Sequence, residues 1–303
     1  MKINAVYPQT ELRGDPEAIK RIGLAVEALG YDGLVAYDHV VGAVHEHRDP
    51  PLWGPYTEND PFHDPFVMFA YLAAITEHIE FATGVLILPQ RQTMLVAKQS
   101  ADLELLSGGR FRLGVGVGWN YVEYDALGED FSTRGRRADE QIAVLRDLWR
   151  GEVTSYDGEF DTLDRGVLIP GPSSQIPIWV GGFSPAAFRR GVTLGDGFMF
   201  AGKESVVHEG LGTYRALADE AGRDLADHGL DYVALRNDGA KDSAQQAERW
   251  QAAGGTEFSA VSMHAERDSI EAHIDFFAEF ADAAGVTPRP NRTTDVSTRS
   301  QHP

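Results

Sequence analysis

Across residues 79–120 the chain passes from an apolar run to a helical run and back to an apolar run, and this alternation restricts the possible folds more than any other feature. The first run, Ile79-Glu80-Phe81-Ala82-Thr83-Gly84-Val85-Leu86-Ile87-Leu88, is too continuously apolar for a half-wet antiparallel strand. It suits a parallel strand buried on both faces. Met94, Ala97, Ala101 and Leu105 then recur at helical spacing, and Gly108-Gly109 stops the helix before a second strand over 111–120. Strand, helix, strand in this order is a βαβ unit, whose crossover is right-handed.

The same alternation recurs along the chain. Residues 2–7 read as a strand, and Asp15-Pro16 opens a helix with an acidic N-cap and proline in its first turn. Further strands are predicted over 33–37, 176–180, 197–201, 230–235 and 258–263, a total of eight, and helices over 64–76 and around Ala138, Ile142, Leu145 and Trp149. Residues 153–169 read as a β-hairpin. Eight strands alternating with helices predict an α/β fold of the (β/α)8 TIM-barrel type over residues 1–285. Its insertions, 41–63 after the second strand and a shorter one after Asn120, fall at the C-terminal face. Residues 286–303 are polar and unpatterned, and a flexible C-terminal tail is expected there.

Composition limits the partners. With 46 Asp plus Glu against 27 Lys plus Arg, the formal charge of −19 repels phosphate backbones and anionic lipid, which argues against nucleic acid and membranes. An anionic ligand needs a local device such as a helix N-terminus. The absence of cysteine excludes disulfides, thiolate metal sites and cysteine nucleophiles. The first residues lack a signal-peptide core, and no run reaches about 18 apolar residues, so a cytoplasmic protein acting on a small molecule is expected. A homo-oligomer is possible, but nothing in these residues shows one.

Four constellations could carry chemistry. In Gly181-Gly182-Phe183-Ser184-Pro185, two glycines permit close backbone approach and Ser184 with Pro185 starts a helix, the geometry of a phosphate cradle or of an ordinary tight turn. Lys203 lies after the following strand. Gly114, Gly116 and Gly118 alternate on one strand, but the third glycine of a dinucleotide fingerprint is replaced by Trp119. The ladder instead clears one face, for a flat ligand or for tight packing. Asp38-His39 ends the second strand, where a histidine suits general acid–base work. His45-Glu46-His47 has the spacing of a divalent-metal site, which would imply a hydrolase, but it sits inside a loop; no metal ligand is assigned.

Several motifs in order resemble the bacterial luciferase-like superfamily: Tyr37-Asp38-His39-Val40, Ala82-Thr83-Gly84-Val85, Leu106-Ser107-Gly108-Gly109-Arg110-Phe111, Gly114-Val115-Gly116-Val117-Gly118-Trp119-Asn120, Arg134-Gly135-Arg136-Arg137-Ala138-Asp139-Glu140 and Val180-Gly181-Gly182. The resemblance implies a barrel that binds coenzyme F420, a deazaflavin, or alternatively FMN, at its C-terminal mouth. It implies that Asp38 and His39 face the reactive ring as catalytic residues. Thr83, Gly84 and Val85 would back the ring at a strand bulge that often holds a non-proline cis peptide. Gly116, Gly118 and Trp119 would clear and wall the pocket, and Gly181, Gly182 and Ser184 would take the phosphate. Hydride transfer between F420 and a small organic substrate is expected; the alternatives are an FMN-dependent monooxygenase and a non-catalytic flavin-binding protein. Sugar-phosphate dehydrogenases of the family place a glutamate where this chain has Trp119, which argues against such a substrate. Glu123, one turn further on, is expected to be a solvated charge. Trp53, Tyr56, Phe62 and Phe66 are expected to form an apolar lid.

Overall fold

In the computed structural model, which describes residues 1–263 and 267–289, eight parallel strands form a closed ring, as the alternation predicts. They are β1 (Lys2–Val6), β2 (Gly33–Ala36), β3 (Glu80–Thr83), β4 (Phe111–Gly116), β5 (Ile178–Gly181), β6 (Gly197–Ala201), β7 (Gly229–Val233) and β8 (Glu257–Val261). β1 pairs with both β8 and β2, and the ring closes where Phe81 of β3 stands beside Phe111 of β4. Thr154–Asp157 and Thr162–Gly166 form the predicted antiparallel hairpin outside the barrel.

The helices are α1 (Pro16–Ala28), α2 (Pro65–Ala73), α3 (Thr93–Ser107), α4 (Tyr121–Leu127), α5 (Arg134–Leu148), α6 (Pro185–Leu194), α7 (Glu204–Ala221), α8 (Ala240–Ala252) and α9 (Ile270–Ala283). Side chains of Asp15, Asp64, Asn120, Ser184 and Ser269 each accept an N–H of the turn they open. Such caps are worth about 1 kcal/mol each and fix where the helices start. In α3 the buried face is rotated from the predicted stripe. Ala97 and Ala101 point inward with Val96, Ser100 and Glu104, while Leu105 faces solvent. Glu104 turns inward because its carboxylate accepts from the Ser173 N–H (2.8 Å) and the Ser173 hydroxyl (2.5 Å).

The third strand is shorter than the apolar run that predicts it. It stops at Thr83, a cis peptide joins Gly84 to Val85, and pairing with β4 resumes only over Leu86–Ile87. β4 likewise ends at Gly116, because Asn120 is already the cap of α4.

The upper barrel interior is filled by Val6, Val35, Ala82, Met199, Val233 and Val261, with Trp179 crossing below them. The lower interior is polar. Arg112 Nη1 donates to Glu257 (2.7 Å), its guanidinium lies 3.8 Å from the Trp179 ring centre, Asn4 donates to Glu257 (2.8 Å) and Ser259 donates to Asp231 (2.9 Å). Burial, and then the neighbouring Glu257, push the Asp231 carboxyl up to about 7 despite Arg112. Of the expected tail, residues 286–289 pack on the end of α1, where Arg289 N–H donates to the Ala28 carbonyl (3.1 Å); residues 290–303 lie outside the described residues.

Candidate active site

β2 delivers Tyr37, Asp38 and His39 to the C-terminal mouth, and the side chain of Gln9 holds this turn by accepting the Tyr37 N–H (2.7 Å). The carboxylate of Asp38 is wholly buried. It accepts from Arg91 Nη2 (2.7 Å) and from the Ile87 N–H (3.0 Å), and Arg91 also reaches Asp64 (3.1 Å). Burial disfavours the Arg91 charge, but the two carboxylates outweigh it and hold the guanidinium more firmly protonated than usual. Asp38 therefore ties the end of β2 to the segment after β3.

His39 stands in an aromatic box. Its ring centre is 4.8 Å from Phe62, 5.1 Å from Tyr56 and 5.6 Å from Trp119. Tyr56 and Phe62 come from the 41–63 loop, as the lid expectation has it, and a Cβ on Gly54 would fall 2.2 Å from Trp119, so the loop lies flat against that ring. The other two lid aromatics go elsewhere: Trp53 is 81% exposed, and Phe66 is buried against Phe111 between α2 and the barrel.

Glu123 is not a solvated charge. It is 1% exposed, with Oε2 3.0 Å from His39 Nδ1 and Oε1 accepting the N–H groups of Val40 (2.7 Å) and Val41 (3.1 Å). Burial raises its carboxyl, but the hydrogen bond and charge of His39, with the two N–H donors, prevail and hold it below the usual carboxylate range. Nothing local in the sequence marks Glu123 out from a solvated helix charge, because its partners lie on the turn after β2. Its actual partner is 84 residues distant in sequence.

The glycine ladder faces protein. A Cβ on Gly114 would lie 1.9 Å from the Thr83 carbonyl oxygen, and one on Gly116 would lie 2.5 Å from Val85 Cγ2. The cleared face therefore receives the bulge after β3, and of the two readings of the ladder, tight packing describes what fills it. Val85 reaches on to β5, where a Cβ on Gly181 would meet its other methyl at 2.6 Å. The Thr83 hydroxyl donates to the Gly114 carbonyl (2.7 Å), fixing the two strands where the bulge leaves.

Beyond Gly181, Gly182 has φ of 147°, Ser184 caps α6 by accepting the Ala187 N–H (3.2 Å) and Pro185 opens the helix. Residues 183–186 are exposed at the mouth, so the helix start is open to solvent. Lys203 lines a neighbouring cavity of about 390 Å³ with Arg236, Asn237 and Met263. His45 gives Nε2 to a hydrogen bond with the Tyr56 carbonyl (2.9 Å), and His47 is exposed. Among the described residues no three His, Asp or Glu side chains gather as a metal site. A larger cavity, about 500 Å³, opens at the opposite end beside Trp179 and Glu257, away from the strand ends that carry chemistry in barrels of this type.

A sequence profile of the luciferase-like monooxygenase family matches residues 3–296. The chain is 34% identical over 204 residues to an uncharacterised protein of Mycobacterium tuberculosis, covering 66% of this chain and 70% of that one. It is 30% identical over 193 residues to an F420-dependent glucose-6-phosphate dehydrogenase of Gordonia bronchialis, covering 61% of this chain and 53% of that one. Among solved structures, an F420-dependent secondary alcohol dehydrogenase with an F420–acetone adduct superposes with a TM-score of 0.75 at 18% identity, over 93% of this chain and 98% of the other. The oxygenating constituent of 3,6-diketocamphane monooxygenase of Pseudomonas putida, in complex with FMN, does so with a TM-score of 0.71 at 16% identity, over 96% and 100%. With an eight-stranded barrel, a histidine at the end of β2 and a profile match over nearly its whole length, the chain belongs to the luciferase-like monooxygenase family.

Proposed function

We propose that the protein is an oxidoreductase that transfers hydride between coenzyme F420 and a small, largely apolar organic substrate. The observation that carries this is His39, a titratable imidazole held at the barrel mouth by Glu123 and boxed by Tyr56, Phe62 and Trp119. An aromatic enclosure with one proton-handling group suits an uncharged substrate that exchanges a proton as its carbon exchanges hydride. F420 is taken as the cofactor because F420-dependent dehydrogenases stand among the sequence relatives; a pyrimidine monooxygenase stands there as well, which keeps FMN as the alternative to be tested.

The residues at the mouth suit a flat redox ring with a phosphate-bearing tail. The Gly84–Val85 bulge offers bare backbone as a backing, with Gly116 and Gly118 as its support. The open start of α6 at Gly181, Gly182 and Ser184 suits the phosphate. A bound deazaflavin supplies hydride transfer and reacts poorly with oxygen. His39 moves the accompanying proton at Nε2, Trp119 and the 41–63 loop exclude water, and Asp38 holds the His39 turn through Arg91.

Titrating the apoprotein separately with F420 and FMN, followed by fluorescence, tests the cofactor. Micromolar or tighter binding of F420 is expected, and tight binding of FMN alone would replace this proposal with the monooxygenase. Against a panel of small ketones, alcohols and enones, His39→Ala should retain F420 affinity and lose about 10²- to 10⁴-fold in turnover, the usual contribution of a general acid or base. Undiminished turnover would remove His39 from the chemistry.

A further inference from the structure

We propose that Glu123 is a positioning residue that fixes the tautomer of His39, with the proton on Nδ1 and the Nε2 lone pair presented to the mouth. The two oxygens of Glu123 have separate jobs. Oε1 accepts the N–H groups of Val40 and Val41, so that position must be an acceptor. This pair of bonds anchors the carboxylate to the residues immediately after His39 and leaves Oε2 aimed at Nδ1 at 3.0 Å. An ionised carboxylate only accepts, so the neutral ring must carry its proton on Nδ1. Gln90 Nε2, at 3.4 Å from the same Oε2, adds a weaker donor on that side. The ring is confined on its other sides by Tyr56, Phe62 and Trp119 and is held in one orientation.

The geometry makes Glu123→Gln an unusually sharp test. The amide is isosteric, but its carbonyl oxygen must stay beneath the Val40 and Val41 N–H groups, since an NH2 there would oppose two donors. The NH2 of the glutamine is then turned to His39 Nδ1, which becomes the acceptor, and the proton moves to Nε2. One atom exchange thus inverts the tautomer while the fold and the aromatic box stay unchanged. The role of this tautomer in turnover rests on the reading of His39 as the proton-handling group; the tautomer itself does not depend on it.

The experiment is two-bond ¹⁵N–¹H correlation NMR of the imidazoles in the full chain at alkaline pH, where neutral rings dominate, with His39 assigned by its absence in His39→Gln. Wild type should show a protonated Nδ1 and an unprotonated Nε2, and Glu123→Gln the reverse, with unchanged far-ultraviolet circular dichroism. A wild-type ring protonated on Nε2 would overturn the proposal without any variant. So would a folded Glu123→Gln protein whose His39 pattern equals that of wild type. Turnover of Glu123→Gln should fall about 10- to 100-fold, as when other hydrogen-bond partners of functional histidines are changed, with F420 affinity retained. If F420 does not bind at all while the tautomer inverts as described, the cofactor reading fails and the role of Glu123 in holding His39 stands.

Discussion

Two buried carboxylates flank His39, and their partners separate their jobs. Asp38 is committed to Arg91 and a backbone N–H, whereas Glu123 faces the imidazole itself. Removing one member of a buried ion pair costs about 3–5 kcal/mol when the other charge is left uncompensated. Arg91 keeps Asp64 as a second partner, so Asp38→Ala is expected to lower unfolding free energy by less than that range in urea titrations. Asp38→Asn, which keeps an acceptor for the Ile87 N–H, should cost less. If Asp38 instead handled a proton in the reaction, Asp38→Asn would abolish turnover at nearly unchanged stability. Asp38-His39 could be picked out in the sequence because the pair ends an apolar run. Arg91 and Glu123 could not, because what makes them matter is a partner tens of residues away.

At the scale of elements, the bulge after β3 is accommodated by glycines on two other strands. Val85 occupies the room that Gly116 of β4 and Gly181 of β5 leave, and Gly118 similarly gives way to Ile87. Gly116→Ala forces a methyl into a packed contact, and such overpacking costs about 1–3 kcal/mol. Combining it with Val85→Ala should restore much of that loss, so the double-mutant cycle in denaturant is expected to show a coupling of at least about 0.5 kcal/mol. Strictly additive losses would mean that Val85 does not fill this space. Strand and helix identities were legible from periodicity and caps: Asp15, Asp64 and Ser184 all stand where their helices begin. The break in β3 was not legible from periodicity, since Gly84-Val85 sits inside an unbroken apolar run; only the family resemblance pointed there.

For the whole molecule, the polar lower barrel sets a dependence of stability on pH. Asp231 is raised in the fold to about 7 from an ordinary value of 3.8, so the folded state binds its proton more tightly than the unfolded state. Its contribution is favourable at acid pH and is lost as pH rises from about 4 to about 7. His228 and His273 act in the opposite sense: burial lowers both to about 4, so acidification from about 6.5 to about 4 destabilises the fold. Asp231→Asn isolates the first effect. The difference in midpoint temperature, variant minus wild type, should grow as pH rises from about 4 to about 7. A difference that does not change with pH would show that Asp231 is not protonated in the folded protein near neutrality.

By itself the sequence determined the order of the eight strands, the caps at Asp15 and Ser184 and the placing of the insertions at one face, whereas α4 inside the second insertion was not predicted. These depend on period, turn residues and burial on both sides of a strand, all local quantities. Tertiary structure alone decided which side chains meet in the mouth. Glu123 reads as surface charge until α4 turns it toward Val40, Val41 and His39, and the glycine ladder reads as empty space until Val85 fills it. Both outcomes depend on closure of the barrel, which brings the ends of β2, β3, β4 and β5 together irrespective of their distance along the chain.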